Sequence, residues 1–460
     1  MSVNLEQRIR DRSCRYGVVG LGYVGLALAA GFARRGIQVL GFDIDDAKVA
    51  AVNEGRSYVP DVDDAEVASI VAAGRLEATT DMGRLAEVDV ISICVPTPLS
   101  KSRDPDLSYV EAALKSVERS LRPGQLIVLE STTYPGMTEE VLKPRLEKRG
   151  LVVGEDIWLA FSPERVDPGN HAYGIHNTPK VVGGVDPAST AMAVLFYGIA
   201  VDHVVPVGSA AAAEMAKLLE NTFRSVNIGL VNEIAQMCDR LGLDVREIVE
   251  AASTKPYGFM RFEPGPGLGG HCIPLDPIYL SWKLRRLDFN ARFIELATDI
   301  NIGMPRYLVE RVTSALNARS RSVKGSRVLV MGVAYKRDVD DTRESPALEA
   351  MRLLLESGAE VVYADPFVDT LSLDDRLFTA LDVTPALLAD VDCVVVTTDH
   401  TDFPWAAVAA HAHLIVDSRG AVDRDRVQHV LWPLSGPAVR GPQASADQTE
   451  RVFQVPRENQ

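Results

Sequence analysis

The stretch Tyr16-Gly17-Val18-Val19-Gly20-Leu21-Gly22-Tyr23-Val24-Gly25 decides the fold of this chain. A short apolar run ends in three glycines at the spacing GxGxxG, and an Ala/Leu-rich helical stretch continues to Arg35. A second apolar run, residues 38–42, ends at Asp43. Strand, glycine turn, helix, strand and acid, in that order, are the sequence form of a dinucleotide-binding βαβ unit. Gly20 then permits the tight turn, Gly22 lets the backbone approach a pyrophosphate at the helix N-terminus, and Gly25 allows close packing of helix on strand. Asp43 can bind both ribose hydroxyls and repels a 2′-phosphate, which favours NAD over NADP. The bland alternative is an α/β turn that holds no ligand.

Working outward, strand-like runs recur at 88–95, 125–130 and 157–161, separated by helical stretches. That rhythm predicts a parallel sheet with helices on both faces. From Ser209 to about Leu243 one long helix is expected, with Met215, Leu218, Leu219, Val226, Leu230, Ile234 and Met237 at helical spacing. Asp244 and Glu247 have the spacing of a capping box for a second helix. Residues 291–319 read as another long helix, which Pro305 should kink or break. The α/β rhythm returns at 327–333, with a helix over 346–357 and strands at 360–363, 393–397 and 414–416. The expected fold class is α/β: two Rossmann-like doubly wound α/β domains joined by a long-helix central domain. Residues 1–205 would bind NAD, 206–320 would form the helical domain with the Cys272 loop, 321–440 would be the second α/β domain, and 441–460 a disordered polar tail.

A length of 460 residues agrees with about three domains. Lys plus Arg number 48 against 63 Asp plus Glu, a net charge of −15, which excludes the basic footprint of a nucleic-acid or anionic-membrane binder. Cys14, Cys94, Cys238, Cys272 and Cys393 show no CxxC spacing, so a zinc finger is excluded, no metal is expected, and a reduced compartment is favoured. The charged start MSVNLEQRIRDRSCR is expected to be neither signal peptide nor anchor, and no apolar run reaches the roughly 18 residues of a membrane helix. A cytoplasmic location is the default expectation.

Four segments carry candidate chemistry. Val95-Pro96-Thr97-Pro98 and Glu130-Ser131-Thr132-Thr133-Tyr134-Pro135-Gly136 follow strand runs, where open α/β sheets bind ligands. Each alone reads equally as a turn that caps a helix. In Gly265-Pro-Gly267-Leu-Gly269-Gly270-His271-Cys272-Ile-Pro-Leu-Asp276-Pro277, four glycines beside a thiol suit the access that a nucleophile needs. Asp276-Pro277 is also a plausible N-cap followed by proline, and His271 reads as structural. Lys217 and Asn221, spaced i, i+4 with Arg224 close by, share one helix face that either stabilises an oxyanion or is simply solvated.

Taken in order, GLGYVGLALA, VPTP, ESTTYPG, FSPERVDPGN, KLLENTFRSVNIGLVNE, PGPGLGGHCIPLDP and GVAYKRDVDDTRESPAL resemble the UDP-glucose/GDP-mannose dehydrogenase family, from about residue 15 to about 430. The forms Ser162–Asn170 and Gly-Gly-His-Cys272 resemble the branch acting on UDP-N-acetylhexosamines, most closely the UDP-N-acetyl-D-glucosamine 6-dehydrogenases. Pro168 stands where the UDP-glucose enzymes carry a second glutamate. UDP-N-acetylmannosamine and UDP-glucose are the rival substrates.

The resemblance implies a four-electron oxidation of a sugar C6 alcohol to a carboxylate, with two NAD+ reduced through a thiohemiacetal and thioester on Cys272. It assigns Glu164 to water activation, Lys217 and Asn221 to oxyanions, and Asp276 to proton transfer. It implies cofactor contacts from Gly20, Gly22, Tyr23, Val24, Gly25, Asp43, Lys48, Thr97, Thr132 and Arg343. Substrate contacts are implied for Glu164, Arg165, Asn170, Lys217, Asn221, Tyr257, Gly269, Lys336 and Arg419. Partners are then a UDP-sugar and a second copy of the chain, as homodimer or higher homo-oligomer. A catalytically dead NAD-binding protein is the alternative from another class.

Overall fold

In a computed structural model of the chain, residues 5–59, 62–100, 103–166, 172–270 and 273–444 are described. The chain divides into two compact units, Met1–Phe223 with Leu275–Ala291, and Arg224–Pro274 with Arg292–Gln460.

The first unit is built on eight strands: β1 (Arg15–Val19), β2 (Gln38–Phe42), β3 (Leu76–Thr79), β4 (Val90–Ile93), β5 (Leu126–Leu129), β6 (Trp158–Phe161), β7 (Lys180–Gly184) and β8 (Val204–Pro206). Their order is β3-β2-β1-β4-β5-β6-β7-β8. Every residue of β4 and β5 is buried, as expected of strands covered by helices on both faces. On one face Tyr16, Phe32 and Phe196 pack ring to ring, Phe32 stacked on Phe196 at 4.4 Å. At Gly20 and Gly25 the turn after β1 and the helix that follows have room for glycine alone. Gly20 has φ +93°, and a Cβ on Gly25 would lie 1.8 Å from the Gly20 carbonyl oxygen.

Three features depart from the sequence reading. The helix Leu5–Arg10 and the short strands β3, β7 and β8 have weak local signals and were not anticipated. The sheet is not wholly parallel, because β7 runs antiparallel to β6, pairing Ala160 with Gly184 and Phe161 with Gly183. The periodic residues of the helix Ala210–Leu241 also fall on two faces. Leu218 is fully buried, whereas Met215, Leu219, Phe223, Leu230, Met237 and Leu241, at intervals of four and seven, form an exposed apolar stripe.

The second unit carries β9 (Arg327–Met331), β10 (Glu360–Ala364), a hairpin of β11 (Thr370–Leu373) and β12 (Arg376–Thr379), then β13 (Cys393–Val396), β14 (Leu414–Asp417), β15 (Val430–Pro433) and β16 (Val439–Arg440). The main sheet runs β10-β9-β13-β14-β15-β16, parallel except at its last pair. The helix Arg292–Asn317 continues through Pro305 without the expected break. Proline removes the bond to the Asn301 carbonyl. Gly267 packs over that carbonyl, its Cβ position 3.1 Å from the oxygen. Asp244 caps the helix Val245–Ser253 through the Arg246 N–H, one residue short of the capping-box pattern.

The ring cluster gives a direct test of the first core. Phe32 is fully buried between Tyr16 and Phe196, so Phe32→Ala should cost about 3–5 kcal/mol in chemical denaturation. A loss below about 1 kcal/mol would contradict this packing.

Candidate active site

In the first unit the C-terminal ends of β1 and β2 bring Gly20, Gly22, Gly25, Asp43 and Lys48 together. Asp43 is buried, accepting from the Leu21 N–H through Oδ2 at 2.8 Å and from the Asp45 N–H through Oδ1 at 3.0 Å. Lys48 Nζ lies 3.8 Å from Asp43 and 6.0 Å from the centre of the Tyr58 ring, whose hydroxyl donates to the Leu21 carbonyl. Tyr23 and Val24 open the helix Tyr23–Arg34, and no side chain caps it at Gly22. A Cβ on Gly22 would meet nothing within 4 Å. An uncapped helix N-terminus under open space, beside an acid with lone pairs to spare, fits a dinucleotide pyrophosphate and ribose. Half-buried Thr97 and Thr132 follow β4 and β5 on the same sheet edge.

The helix Asp276–Arg285 docks on this edge. Tyr279 donates to the Pro98 carbonyl at 3.2 Å and hydrogen-bonds Thr97, Trp282 packs on Tyr134 at 5.4 Å, and Lys283 pairs with Glu140 at 2.6 Å. Asp276 is the first helical residue and not its cap, a position taken by Leu275. Its buried carboxylate accepts from Asn221 Nδ2 at 2.5 Å. Burial pushes its pKa up to about 6 against the opposing pull of the Lys217 ammonium and the Asn221 bond. The face of Lys217 and Asn221 is therefore turned towards an acid, while Arg224 is exposed.

Glu164 lies just beyond β6. Its Oε1 accepts the N–H groups of Arg165 and Val166 at 2.7 Å each, and its buried Oε2 has no hydrogen bond but lies 3.7 Å from Lys180 Nζ. Arg165 is engaged as a strut, donating to Glu220 through Nε at 3.1 Å, with Nη2 2.7 Å from the same carboxylate, and to the Pro179 carbonyl through Nη1. Asn170, His271 and Cys272 lie outside the described residues.

In the second unit the glycine loop is pinned by a buried amide chain. Asn232 accepts the Gly265 N–H at 2.9 Å and donates to Asn301 at 3.0 Å, and Asn301 donates to the Ser225 carbonyl at 3.2 Å. The glycines serve close packing, where the sequence suggested open access. A Cβ on Gly269 would lie 2.5 Å from Tyr335 Cβ, and Gly270, at φ +83°, would meet the Tyr335 ring at 2.9 Å.

Lys336 follows Tyr335 and is half-buried. Arg343 is held by both oxygens of Asp341, at 2.9 and 2.6 Å. Arg419 reaches the loop, its Nη1 2.7 Å from the Cβ position of Gly265, and its buried Nε has no hydrogen bond. Burial, with Arg246 and Arg337 close by, pushes the Arg419 pKa down against the pull of Asp399. Tyr257 is exposed, its ring 5.1 Å beneath Lys255 Nζ. Cys14, Cys94, Cys238 and Cys393 are free and buried, and among the described residues no His/Cys/Asp/Glu group is arranged to hold a metal. No helix of the described residues is long and apolar enough to cross a membrane.

Asn232, Tyr58, Tyr279, Glu130 and Lys180 were missed from sequence. Asn232 stood inside a quoted motif and could have been flagged as a polar residue on an apolar helix stripe. The buried Glu130–Lys180 pair joins residues 50 positions apart and has no local signal.

The raised Asp276 pKa has a defined sign. The native state holds this proton more tightly than the unfolded chain, so the contribution of Asp276 to native stability falls between about pH 4 and about pH 6 and is level above. Asp276→Asn should therefore gain about 3 kcal/mol over the native protein across that interval, measured by denaturant melts at a series of pH values. A pH-independent difference would contradict the placement of the carboxylate.

Sequence models of the UDP-glucose/GDP-mannose dehydrogenase family match in three places: its NAD binding domain at residues 14–201, its central domain at 211–302 and its UDP binding domain at 329–424. The UDP-N-acetyl-D-mannosamine dehydrogenase of Pyrococcus horikoshii is 35% identical over 424 residues, covering 91% of this chain and 98% of the relative. The UDP-N-acetyl-D-glucosamine 6-dehydrogenase of Pseudomonas aeruginosa is 33% identical over 426 residues, covering 90% and 99%. A solved UDP-D-ManNAc dehydrogenase from P. horikoshii superposes with a TM-score of 0.84 at 34% identity, covering 91% of this chain and 99% of the other. With three domain matches spanning most of its length, the chain belongs to the UDP-glucose/GDP-mannose dehydrogenase family, whose members are NAD-dependent nucleotide-sugar dehydrogenases.

Proposed function

We propose that this dehydrogenase oxidises the C6 hydroxyl of a UDP-N-acetylhexosamine to the carboxylate through a covalent intermediate on Cys272. The observation that carries the reading is buried Asp276, held by Asn221 and Lys217 and four residues after that cysteine. NAD+ supplies the hydride acceptor for both oxidations. The Lys217 ammonium and the Asn221 amide stabilise the negative oxygen that develops at C6. Asp276, with a pKa of about 6, can exchange a proton near neutral pH. The Cys272 thiolate adds to the aldehyde carbon to give a thiohemiacetal, whose oxidation leaves a thioester. Water then attacks the thioester carbon, Glu164 takes the water proton, and the C–S bond breaks to restore the thiolate.

We assign the NAD site to residues 1–205, the helical middle to 206–320 and the UDP site to 321–440. Lys336 and Arg419, with Arg246 and Arg337 nearby, supply positive charge for the diphosphate. Arg165 and Asn170 are our candidates for reading the N-acetyl side of the sugar, and Pro168 bears against plain UDP-glucose. The sequence favours UDP-N-acetylglucosamine. UDP-N-acetylmannosamine is the second reading, favoured by the name of the P. horikoshii relative. We also infer a homodimer, supported by the apolar stripe of Met215 to Leu241, too extensive to suit a solvated helix face.

Assaying UDP-N-acetylglucosamine, UDP-N-acetylmannosamine and UDP-glucose side by side should give two NADH per sugar with an N-acetylated substrate preferred. A clear preference for UDP-glucose, or one NADH with a stable aldehyde, overturns the proposal. Cys272→Ser should lower sustained turnover at least about a thousandfold. For the assembly, Leu230→Glu should shift sedimentation from dimer towards monomer, and an unchanged profile speaks against the stripe.

A further inference from the structure

The antiparallel pairing of β7 has a chemical result. Its register joins Ala160 to Gly184 and Phe161 to Gly183, and past the end of that pairing Lys180 Nζ lies 3.7 Å from Glu164 Oε2. Parallel strands would have left Lys180 at the far edge of the sheet. The turn back instead places it beside the C-terminal ends of β5 and β6.

Lys180 is buried, and so is its partner Glu130. Lys180 Nζ donates to Glu130 Oε2 at 2.7 Å and to the Pro163 carbonyl at 3.1 Å, with the Tyr197 ring centre 5.2 Å away. The Tyr197 hydroxyl donates to the other oxygen of Glu130. Glu130 is thus satisfied on both oxygens. In the remaining direction Lys180 faces Glu164 Oε2 at 3.7 Å, and that oxygen is buried with no hydrogen bond. An ion pair that served packing alone would have no need to face a third charged group, and burying a lysine is costly.

We propose that Lys180 is a positioning residue for Glu164: facing Oε2 at 3.7 Å across the turned strand, it holds that carboxylate in place to take a proton from the water that hydrolyses the Cys272 thioester. The inference rests on the hydrolytic role proposed above for Glu164. Among the described residues, the titratable groups that face Glu164 are Lys180 on β7, Glu130 after β5, Cys94 after β4, Tyr16 on β1 and neighbouring Arg165. Tyr197 reaches it through Glu130. Burial pushes the Cys94 thiol and both tyrosines far up, so they stay neutral. Burial also works against the charge on Lys180, but the carboxylates of Glu130 and Glu164 outweigh it and hold the ammonium protonated.

The test follows the intermediate with NAD+ and whichever of UDP-N-acetylglucosamine and UDP-N-acetylmannosamine the native enzyme turns over faster. Intact-mass rapid quench reads the acyl-enzyme, and absorbance reads the NADH burst. Lys180→Met should leave the burst unchanged and slow acyl-enzyme breakdown about tenfold or more. The acidic limb of its breakdown rate should move up by about one pH unit, because a positive neighbour has been removed. Lys180→Arg should restore most of the rate. Glu130→Gln, which leaves Lys180 unneutralised, should move the limb down. Opposite displacements are not expected of two variants that merely loosen the fold.

Glu164→Gln is the control and should accumulate acyl-enzyme. If it does not, the role of Glu164 fails and the inference falls with it. If it does, and Lys180→Met hydrolyses at the native rate or loses both half-reactions with an unmoved limb, the inference alone is overturned. Should Lys180→Met not fold, an unmoved limb in Glu130→Gln overturns it equally.

Discussion

Both sheets hang on one hydrogen bond, from the backbone N–H after the glycine of the first strand to a carboxylate at the end of the second. In the first unit Leu21 donates to Asp43 at 2.8 Å, and in the second Val333 donates to Asp365 at 2.7 Å. The glycine N–H groups follow suit, Gly20 to the Phe42 carbonyl and Gly332 to that of Ala364, with φ +93° and +86°. Each turn folds the chain sharply over a sheet end, where unpaired amides would be buried at real cost. The two acids then diverge. Asp365 is closed off by His400 Nε2 at 3.1 Å, and the other ring nitrogen accepts from the Asp338 N–H. Asp43 has Lys48 and Tyr58 beside it instead. An acid after a second strand is thus a turn device first, and a ribose ligand where the surroundings leave it open.

This divergence explains what could be read from the sequence. The glycine turn, the buried strands and the long helices declare themselves through local pattern, and they sufficed for the fold class. Lys217, Asn221 and Asp276 were legible as residue types, but their meeting was not, because Asp276 reaches Asn221 across 55 positions of chain. The loop at 265–270 was recognised for the wrong reason: its glycines answer to the bulk of Tyr335 and to Asn232, which no local spacing reveals. Lys180 was hidden most completely. A lysine ahead of Val-Val-Gly-Gly looks like the charged lip of a strand, and only the reversed direction of that strand makes it an interior cation.

A chain with a net charge of −15 that belongs to a family of enzymes for NAD and nucleotide-sugars must hold its anions by local fields. The second unit gathers Arg246, Arg337 and Arg419 around Asp399 and Asp417, so positive charge is concentrated where bulk charge is adverse. The first unit relies on an uncapped helix end. Each device works at short range.

Antiparallel pairing of β6 and β7 brings the end of one strand beside the start of the other, and so carries Glu164 and Lys180 to the same edge of the sheet. The neutralisation of Lys180 thus depends on the direction of one strand, and a sheet that ran parallel throughout would have to place a different residue beside Glu130.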